Sequence, residues 1–502
     1  MPREKELNCK WFFGKEAPGN GRGPNNPTAL TFKGSKYHSL IRESIQNSLD
    51  AVDDGTKPVI VSFDHGIFEG RDFPEFFKLN EHIKGCLDRF PEDENAKKLF
   101  RPMLKFFASS FINQRMDYLR ITDTNTTGMY YDADNPTNPS STFHAFMFEG
   151  SASKQDNKGS GGSFGFGKAA FWVVSSISTV FVSSKTDTQV SFVGQTKLCT
   201  HYHGDLKTEF ASNGLYSTNG DGRVITDEQL IPEIFRPKEK GTSIYILGAD
   251  YIDENIRKEL VEAVLRNFWM AIYRNKLIVK IDHGKVIIDK EHLSELMKEY
   301  FEDSSNNEKI ENYEYNPRYF YEIVVNAENG SSDKYKKLEG NVIMKGKEVP
   351  VVLYIHKLQD ARQFVFMRSP LMTVYTEKKG LYKGAAGVFI CESEEGNNHL
   401  REMEDWKHDY WKREFYEARG NTPSIEAAHT LSAIRQYIRD VIQIELRQEA
   451  QDSQQIAGLD KILTITIPKC ADDGSQKDDI VDFENLFSGK KETKEKTKYN
   501  PQ

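Results

Sequence analysis

Three polar residues share one face of a segment that has helical periodicity. At ~100° per residue, Glu43, Asn47 and Asp50 fall within about 60° of one another. A carboxamide oxygen is a hard ligand that suits Mg²⁺, and a carboxylate near it can polarise a water molecule. The stripe predicts a Mg²⁺-dependent hydrolytic site, and a solvated helix face is the plainer alternative. The opposite side of the segment is apolar and predicts burial: Ile41, Ile45, Leu49 and Val52.

A glycine-rich segment, GSGGSFGFGK at 159–168, could wrap phosphate groups. Glycine lets backbone N–H groups approach phosphate oxygens closely, and Lys168 adds a cation. Gly162, Gly167 and Lys168 spell a near P-loop, but Ala169 stands where a P-loop has the Ser or Thr that binds Mg²⁺. The preceding SASKQDNK is also not the buried strand that a P-loop follows. A flexible linker is the other alternative, although the apolar AAFWVVSS that follows indicates entry into a core.

The helical string ESIQNSLDA resembles the N box of the Bergerat-fold (GHKL) ATPases. This is the superfamily of gyrase, the large heat-shock ATPase chaperone, sensor histidine kinases and MutL. The pattern there is E-x-x-x-N-S-x-D-A, and four residues match it position for position: Glu43, Asn47, Asp50 and Ala51. The resemblance implies that Glu43 is the general base, that Asn47 is the Mg²⁺ ligand, and that Asp50 belongs to the nucleotide site.

The next segment, RITDTNTTGM at 120–129, is similar to the first glycine box of the family, D-x-G-x-G-M. The resemblance implies that Asp123 accepts a hydrogen bond from the adenine amino group. The sequence departs from the pattern, because Asn125 replaces the first glycine and one extra residue precedes Gly128 and Met129. Asn tolerates the left-handed backbone better than most residues, so we expect the turn to survive. An ordinary turn after a strand is the alternative.

Two further boxes follow in the family's order, and the resemblance covers about residues 37–250. Gly162, Gly165 and Gly167 make G-x-x-G-x-G, which is similar to the second glycine box at the end of an ATP lid. The string GTSIYI is similar to the terminal Gly-Thr box, in which Thr242 would contact adenine through water. The order of the four boxes is a stronger signal than any one of them.

The surrounding elements predict a mixed α/β (α+β) fold. We expect a Bergerat-fold ATP-binding sandwich at 1–250, a transducer-like α/β domain at 251–415, and a helical segment with a mobile charged tail at 416–502. Helices are predicted over 37–52, much of 73–114, 254–273 and 425–449. Predicted strands include PVIVSF, DYLRITD, FWVVSSISTVFVSS, QVSFVGQTKL, GTSIYILG, LIVKID and KVIID. The second α/β region contains YEIVVNA, GNVIMKG, VPVVLYIHK, FVFMRS and GVFICES.

The resemblance also implies coupling between the two regions. In the gyrase-like branches a basic residue of the second domain reaches the terminal phosphate, and we expect Arg368, or else Lys379, to do so here. A surface arginine is the alternative. The polar stretch 129–168 is expected to form a mobile lid whose closure builds an ATP-dependent homodimer. The Gly/Pro-rich arm at 14–28 would be a strap across the partner.

Two other groups of metal-ligand residue types were weighed. The string CTHYH at 199–203 has no second ligand pair at finger spacing, so a structural role is favoured over a metal site. The string NNHLREMEDWKHDYW at 397–411 contains His399, Glu402, Glu404 and His408. Its interleaved tryptophans favour a packing or interface helix over a metal or nuclease site.

Composition narrows the class of protein. The 502 residues are 38% hydrophobic and carry a net charge of −8, so a disordered chain is excluded and a general nucleic-acid coat is disfavoured. Nucleic-acid binding through a local basic patch stays open. Five scattered cysteines do not form a disulfide framework, and neither a leader nor a membrane span is recognisable. We therefore expect a soluble cytoplasmic protein.

These observations predict an ATPase with ATP and Mg²⁺ as cofactors. ATP binding and hydrolysis would drive a conformational cycle, in a bacterial defence or chaperone-like role and with a protein partner not yet identified. The alternative is a non-hydrolysing nucleotide switch or adaptor in a larger complex. No phosphoacceptor His box precedes the ATPase region, which disfavours a histidine kinase, and the length disfavours a topoisomerase.

Overall fold

The computed structural model describes residues 9–454 except 18, 25–35, 71–74, 137, 139, 150–166, 219, 302–315 and 406–409. The described residues up to Leu446 form one compact unit. Helices and strands alternate along the chain, so the predicted α/β class is confirmed. Among the described helices, none combines the length and apolar character needed to cross a bilayer.

A large mixed sheet forms one side of the unit. Its strands, in chain order, are β1 (Cys9–Lys15), β2 (Val59–Glu69), β3 (Arg115–Thr124), β4 (Thr179–Lys185), β5 (Val190–Lys197), β6 (His201–His203), β7 (Asp205–Thr218), β8 (Gly241–Leu247), β9 (Leu277–Ile281) and β10 (Val286–Ile288). Their order in space is β1-β7-β5-β4-β8-β3-β2-β9-β10, and β6 pairs with β7. The β2–β9 pair is parallel, and the other pairs are antiparallel. Two strands beyond residue 250 therefore belong to this sheet.

Helices cover the sheet and connect it to the second half of the chain. They are α1 (Lys36–Asp50), α2 (Leu79–Arg89), α3 (Glu94–Asn113), α4 (Thr142–Met147), α5 (Ala169–Val174), α6 (Glu254–Tyr273), α7 (Leu293–Tyr300), α8 (Pro317–Glu328), α9 (Glu394–Glu402), α10 (Arg413–Ala418) and α11 (Ile425–Gln454). Two long ones begin at capping aspartates. Asp93 accepts from the backbone N–H of Asn95 and Ala96, and Asp253 accepts from that of Ile256.

A second, smaller sheet lies in the later part of the unit. Its strands are β11 (Tyr335–Met344), β12 (Lys347–Lys357), β13 (Gln363–Arg368), β14 (Met372–Lys378) and β15 (Ala385–Cys391), in the spatial order β11-β12-β15-β13-β14. One apolar core joins Ile45 of α1 and Val264 of α6 to Met367 and Met372 of this sheet. Helix α1 is therefore packed between the large sheet and elements of the second half.

The structure corrects several predicted elements. The residues FWVV, predicted as strand, lie in helix α5. This segment is apolar on more than one side, and such burial removes the periodicity that distinguishes a helix from a strand. Strand β1 was not predicted, because it is short and its pairing partner β7 is distant in the chain. Val52, predicted to be buried, is 37% exposed and bridges to Thr126.

Candidate functional site

A hydrogen-bonded carboxylate lies at the end of β3. Asp123 Oδ1 accepts from Thr126 Oγ1 (2.6 Å) and from the backbone N–H of Thr242 (2.7 Å), and Oδ2 accepts from Ser48 Oγ (3.0 Å). Burial raises the pKa of the Asp123 carboxyl above its usual range, and these three donors oppose the rise. The turn after β3 and two distant segments, α1 and β8, therefore hold one carboxylate in a defined orientation.

Two glycines let the chain approach this carboxylate closely. A Cβ atom at Gly241 (φ +135°) would overlap the Asp123 carbonyl, and one at Gly128 (φ +69°) would overlap the Lys185 carbonyl. Ser184 ties the two turns together, because its Oγ lies 2.7 Å from Met129 N, 3.1 Å from Gly241 O and 3.2 Å from Thr242 Oγ1. Only glycine fits at both positions without moving the backbone.

A cavity opens in front of Asp123. Its polar wall comes from α1 and the strand ends, and its other wall is apolar. The polar and small lining residues are Ser44, Asn47, Ser48, Ala51, Asp123, Thr126, Gly128 and Thr242. The apolar lining residues are Ile121, Met129, Phe146, Phe171 and Ile244. A cavity with an apolar wall and a buried carboxylate acceptor is suited to a heteroaromatic ring that carries an amino group.

Asn47 lines the cavity, and Glu43 lies one helical turn earlier on α1, outside the lining but in contact with Asn47. Asn47 Nδ2 donates to Glu43 Oε1 at 3.2 Å, and Asn47 Oδ1 accepts no hydrogen bond within the part of the chain that the structure describes. Gly167 packs directly on Glu43, since a Cβ atom there would overlap the carboxylate. The end of the glycine-rich segment and the α1 stripe are thus brought together. The Asn47 amide and the Glu43 carboxylate are neighbours, and these two group types suit a hydrated divalent cation and a polarised water.

Asn125 does not line the cavity. It adopts the left-handed conformation (φ 59°), as predicted from the tolerance of Asn for that region. Its Nδ2 donates to the carbonyls of Asp54 (3.0 Å) and Lys57 (2.9 Å), and its Oδ1 accepts from Asp54 N (3.1 Å). Asn125 therefore connects the turn to the segment after α1 by hydrogen bonds. The residue that replaces the first glycine of the pattern thus stabilises the turn.

Two predicted residues lie away from the cavity lining. Asp50 points to Arg401 of α9, with Oδ2 3.5 Å from Nη2. Arg368 is fully buried and makes two hydrogen bonds of 2.6 Å to Glu404. Burial of this kind holds a guanidinium in place, so the placement does not support the prediction that Arg368 reaches a terminal phosphate. Lys379, the other candidate, pairs with Glu377 at 2.7 Å.

The predicted lid falls partly outside the described residues. Gly162 and Gly165 lie in the undescribed segment 150–166, whereas Lys168 precedes α5 and donates to the Ala145 carbonyl at 2.5 Å. In the described part, Phe143 and Met147 of α4 are buried in the core. Helix α4, within the predicted lid, is thus packed into the core.

The described part of the arm contacts its own chain. Arg22 and Thr200 exchange hydrogen bonds of 2.8 and 2.9 Å, and Glu16 N donates to Glu209 O. Gly14, which was placed in the arm, belongs to β1. The strap across a partner stays a prediction.

The two weighed metal motifs have structural surroundings. Within the described ranges, no group of three or more His, Cys, Asp or Glu residues could hold a metal ion. His201 Nε2 lies 2.9 Å from His82 Nδ1, and His203 stacks on His82 at 4.0 Å. Glu404 pairs with Arg368 and accepts from Trp411 Nε1 at 3.1 Å. The packing interpretation of the second motif agrees with these contacts.

Several site residues were not singled out from the sequence. Ser48 lies inside the N-box string and could have been found there, and Phe146 lies in the apolar run FHAFMF. Ser184 has no sequence signal, because a serine within a buried strand is unremarkable until its neighbours are known. Phe171 was assigned to a strand and so was not placed beside α1.

Comparison with known proteins returns matches among solved structures only. No family model matches the chain, and no curated protein matches it. The ATPase region of topoisomerase II from Saccharomyces cerevisiae is 8% identical, with 81% of this chain and 85% of that chain covered, at a TM-score of 0.34. The MutL ATPase domain of Aquifex aeolicus in complex with ADP is 10% identical, with 57% and 83% covered, at a TM-score of 0.21.

Both matched chains are ATPase regions or domains, at identities of 8% and 10%. TM-scores of 0.34 and 0.21 do not support a residue-by-residue correspondence.

Proposed function

We propose that the protein binds Mg·ATP in the cavity before Asp123 and hydrolyses it. The proposal depends on one observation: residues from segments more than 190 residues apart in the chain line the same cavity. Asn47 and Ser48 come from α1, Asp123 from the end of β3, Met129 from the following turn, and Thr242 from β8. Each is a residue that the sequence motifs single out, or the direct neighbour of one.

The cavity is suited to adenine. The apolar residues would cover the faces of the ring, and the Asp123 carboxylate would accept a hydrogen bond from the exocyclic amino group. Guanine has a carbonyl oxygen where adenine has its amino group. That oxygen and the Asp123 carboxylate are both acceptors, so no hydrogen bond could form between them. The site should therefore discriminate against GTP by leaving polar groups unpaired.

Mg²⁺ fits this site as a companion of the triphosphate. The ion typically keeps several waters and takes one or two protein ligands together with phosphate oxygens. Asn47 Oδ1 is a suitable ligand, because the amide nitrogen is already engaged by Glu43. When bound, the ion would neutralise charge on the phosphates. The described residues contain no cage of carboxylates that would hold it without nucleotide.

Glu43 is the residue best placed to act on water. Its carboxylate is held by the Asn47 amide on one side and by the backbone of Gly167 on the other. In hydrolysis the water oxygen forms a bond to the γ-phosphorus, the bond to the β–γ bridging oxygen breaks, and the water proton passes toward Glu43. Most of the rate should come from positioning and charge stabilisation, as in other phosphoryl transfers.

The use of the ATP cycle is a further part of the proposal. An ATP-dependent homodimer, a protein partner and a defence or chaperone-like role in the cytoplasm are supported by the sequence resemblance alone. A switch that binds ATP without hydrolysing it is the alternative, and hydrolysis measurements separate the two.

Glu43→Gln provides the test, with Glu92→Gln as control because Glu92 is 95% exposed and far from α1 in sequence. Calorimetry measures Mg·ATP affinity, and single-turnover assays measure hydrolysis. We expect Glu43→Gln to bind ATP and to lose about 10²-fold or more in rate, as for removal of a general base. A wild-type protein that binds no ATP overturns the proposal. Binding without hydrolysis supports the switch instead.

A further inference from the structure

Polar contacts attach helix α1, which carries Glu43 and Asn47, to the smaller sheet and to α9. Near its start, Arg42 Nη1 donates to the Thr373 carbonyl of β14 at 3.0 Å. At its end, Asp50 pairs with Arg401. The two proposed reacting-site residues lie between these attachments. A displacement of the second half would therefore be transmitted to the whole stripe.

The segment that presents Arg401 is itself held firmly. Arg419 donates to the Arg401 carbonyl, and to the Glu404 carbonyl at 2.9 Å. The Glu404 carboxylate is buried and receives both hydrogen bonds from Arg368 and one from Trp411. A buried pair that satisfies its hydrogen-bonding groups fixes geometry strongly. Arg368 thus supports the position of Arg401 without touching the cavity.

The Asp50–Arg401 contact differs from this buried network. The two side chains are 31% and 38% exposed, and their 3.5 Å separation is that of a loose ion pair. Exposed pairs of this kind contribute little to global stability. In the part of the chain that the structure describes, Arg401 makes no other ion pair. The contact therefore has the character of an adjustable link between a rigid segment and the end of α1.

We infer that Arg401 is a positioning residue, which acts through Asp50 to set the placement of α1 and hence of Glu43 and Asn47 during hydrolysis. The inference rests on the proposed ATPase function. It gives Asp50 a role that differs from nucleotide contact. Because hydrolysis requires the water and the phosphate to be aligned closely, a small displacement of α1 costs rate more than binding.

Charge reversal tests the link. The variants are Arg401→Asp, Asp50→Arg and the double swap, with Arg413→Gln as control because Arg413 pairs with Glu417 inside α10. For Arg401→Asp we expect ATP affinity within about threefold of wild type and a single-turnover rate lowered about tenfold or more, the scale of a misplaced reacting group. The double swap should recover most of the rate, and the control should behave as wild type.

Three outcomes overturn the inference. They are an unchanged rate for Arg401→Asp, a lost rate that the swap does not recover, and equal losses of affinity and rate. Failure of the proposed function is recognised separately, since the wild-type protein would then bind no ATP. In that case melting temperatures still test the contact: each single reversal should lower the melting temperature slightly, and the swap should restore it.

Discussion

Replacing Asp123 with Asn changes one acceptor of the site into a donor while the surrounding hydrogen bonds can be kept. The Asn oxygen can still accept from Thr126 and from Thr242 N, which both bond to Oδ1. The new Nδ2 can donate to Ser48 Oγ. The Ser48 hydroxyl can then donate to the Ser44 carbonyl, which lies 3.0 Å away. The variant should therefore fold with a stability close to that of wild type.

The substitution should instead weaken the binding of ATP. The adenine amino group would meet an N–H in place of a carboxylate, which removes a hydrogen bond to a charged acceptor, about 1.5–3 kcal/mol. At 1.4 kcal/mol per tenfold, the ATP dissociation constant should rise roughly 10- to 150-fold. Guanine carries an acceptor at this position, so the affinity for GTP should rise relative to the affinity for ATP. The ratio of the two affinities is thus a sharper signal than either one alone.

Calorimetry with Mg·ATP and Mg·GTP on wild type, Asp123→Asn and Asp117→Asn measures these changes. Asp117 is a matched control, because it lies on the same strand but pairs with His65 at 2.9 Å and is 45% exposed. We expect the control to bind both nucleotides as wild type does. An unchanged ATP affinity together with an unchanged ATP-to-GTP ratio for Asp123→Asn would place the base elsewhere and refute the site.

Two further predictions concern packing and pH. Gly167→Ala should lower the single-turnover rate about tenfold or more, because the added Cβ overlaps the Glu43 carboxylate; a wild-type rate would show that Gly167 does not constrain Glu43. Burial lowers the pKa of His82 to about 3 and that of His201 to about 4, from 6.5. Below about pH 6.5 the unfolded chain binds protons that the folded chain does not, so stability should decline as the pH falls toward 4. Melting temperatures at pH 7, 6 and 5 check this, and a His82→Asn/His201→Asn double variant that keeps the full wild-type slope would contradict it.

Local spacing was sufficient to predict the contact between Glu43 and Asn47 on α1. Glu43 and Asn47 lie one helical turn apart, and their mutual contact follows from that spacing alone. The turn after β3 was likewise predictable, because the left-handed conformation of Asn125 is a local preference. These features depend on residues close in sequence, so the amino-acid pattern contains the information.

Contacts between residues distant in sequence became known only from the tertiary structure. The string FVFMRSP does not indicate that Arg368 pairs with Glu404, and the residues around Asp50 do not indicate Arg401. A charged residue can pair with any residue of opposite charge, so its partner depends on the fold. The register of β4 beside β8 alone places Ser184 against Thr242. The amino-acid pattern alone predicted which polar side chains lie on α1 and at the end of β3. The packing of the sheets and helices decided which residues complete the cavity and which hold α1 in place, because such contacts depend on the mutual arrangement of elements hundreds of residues apart.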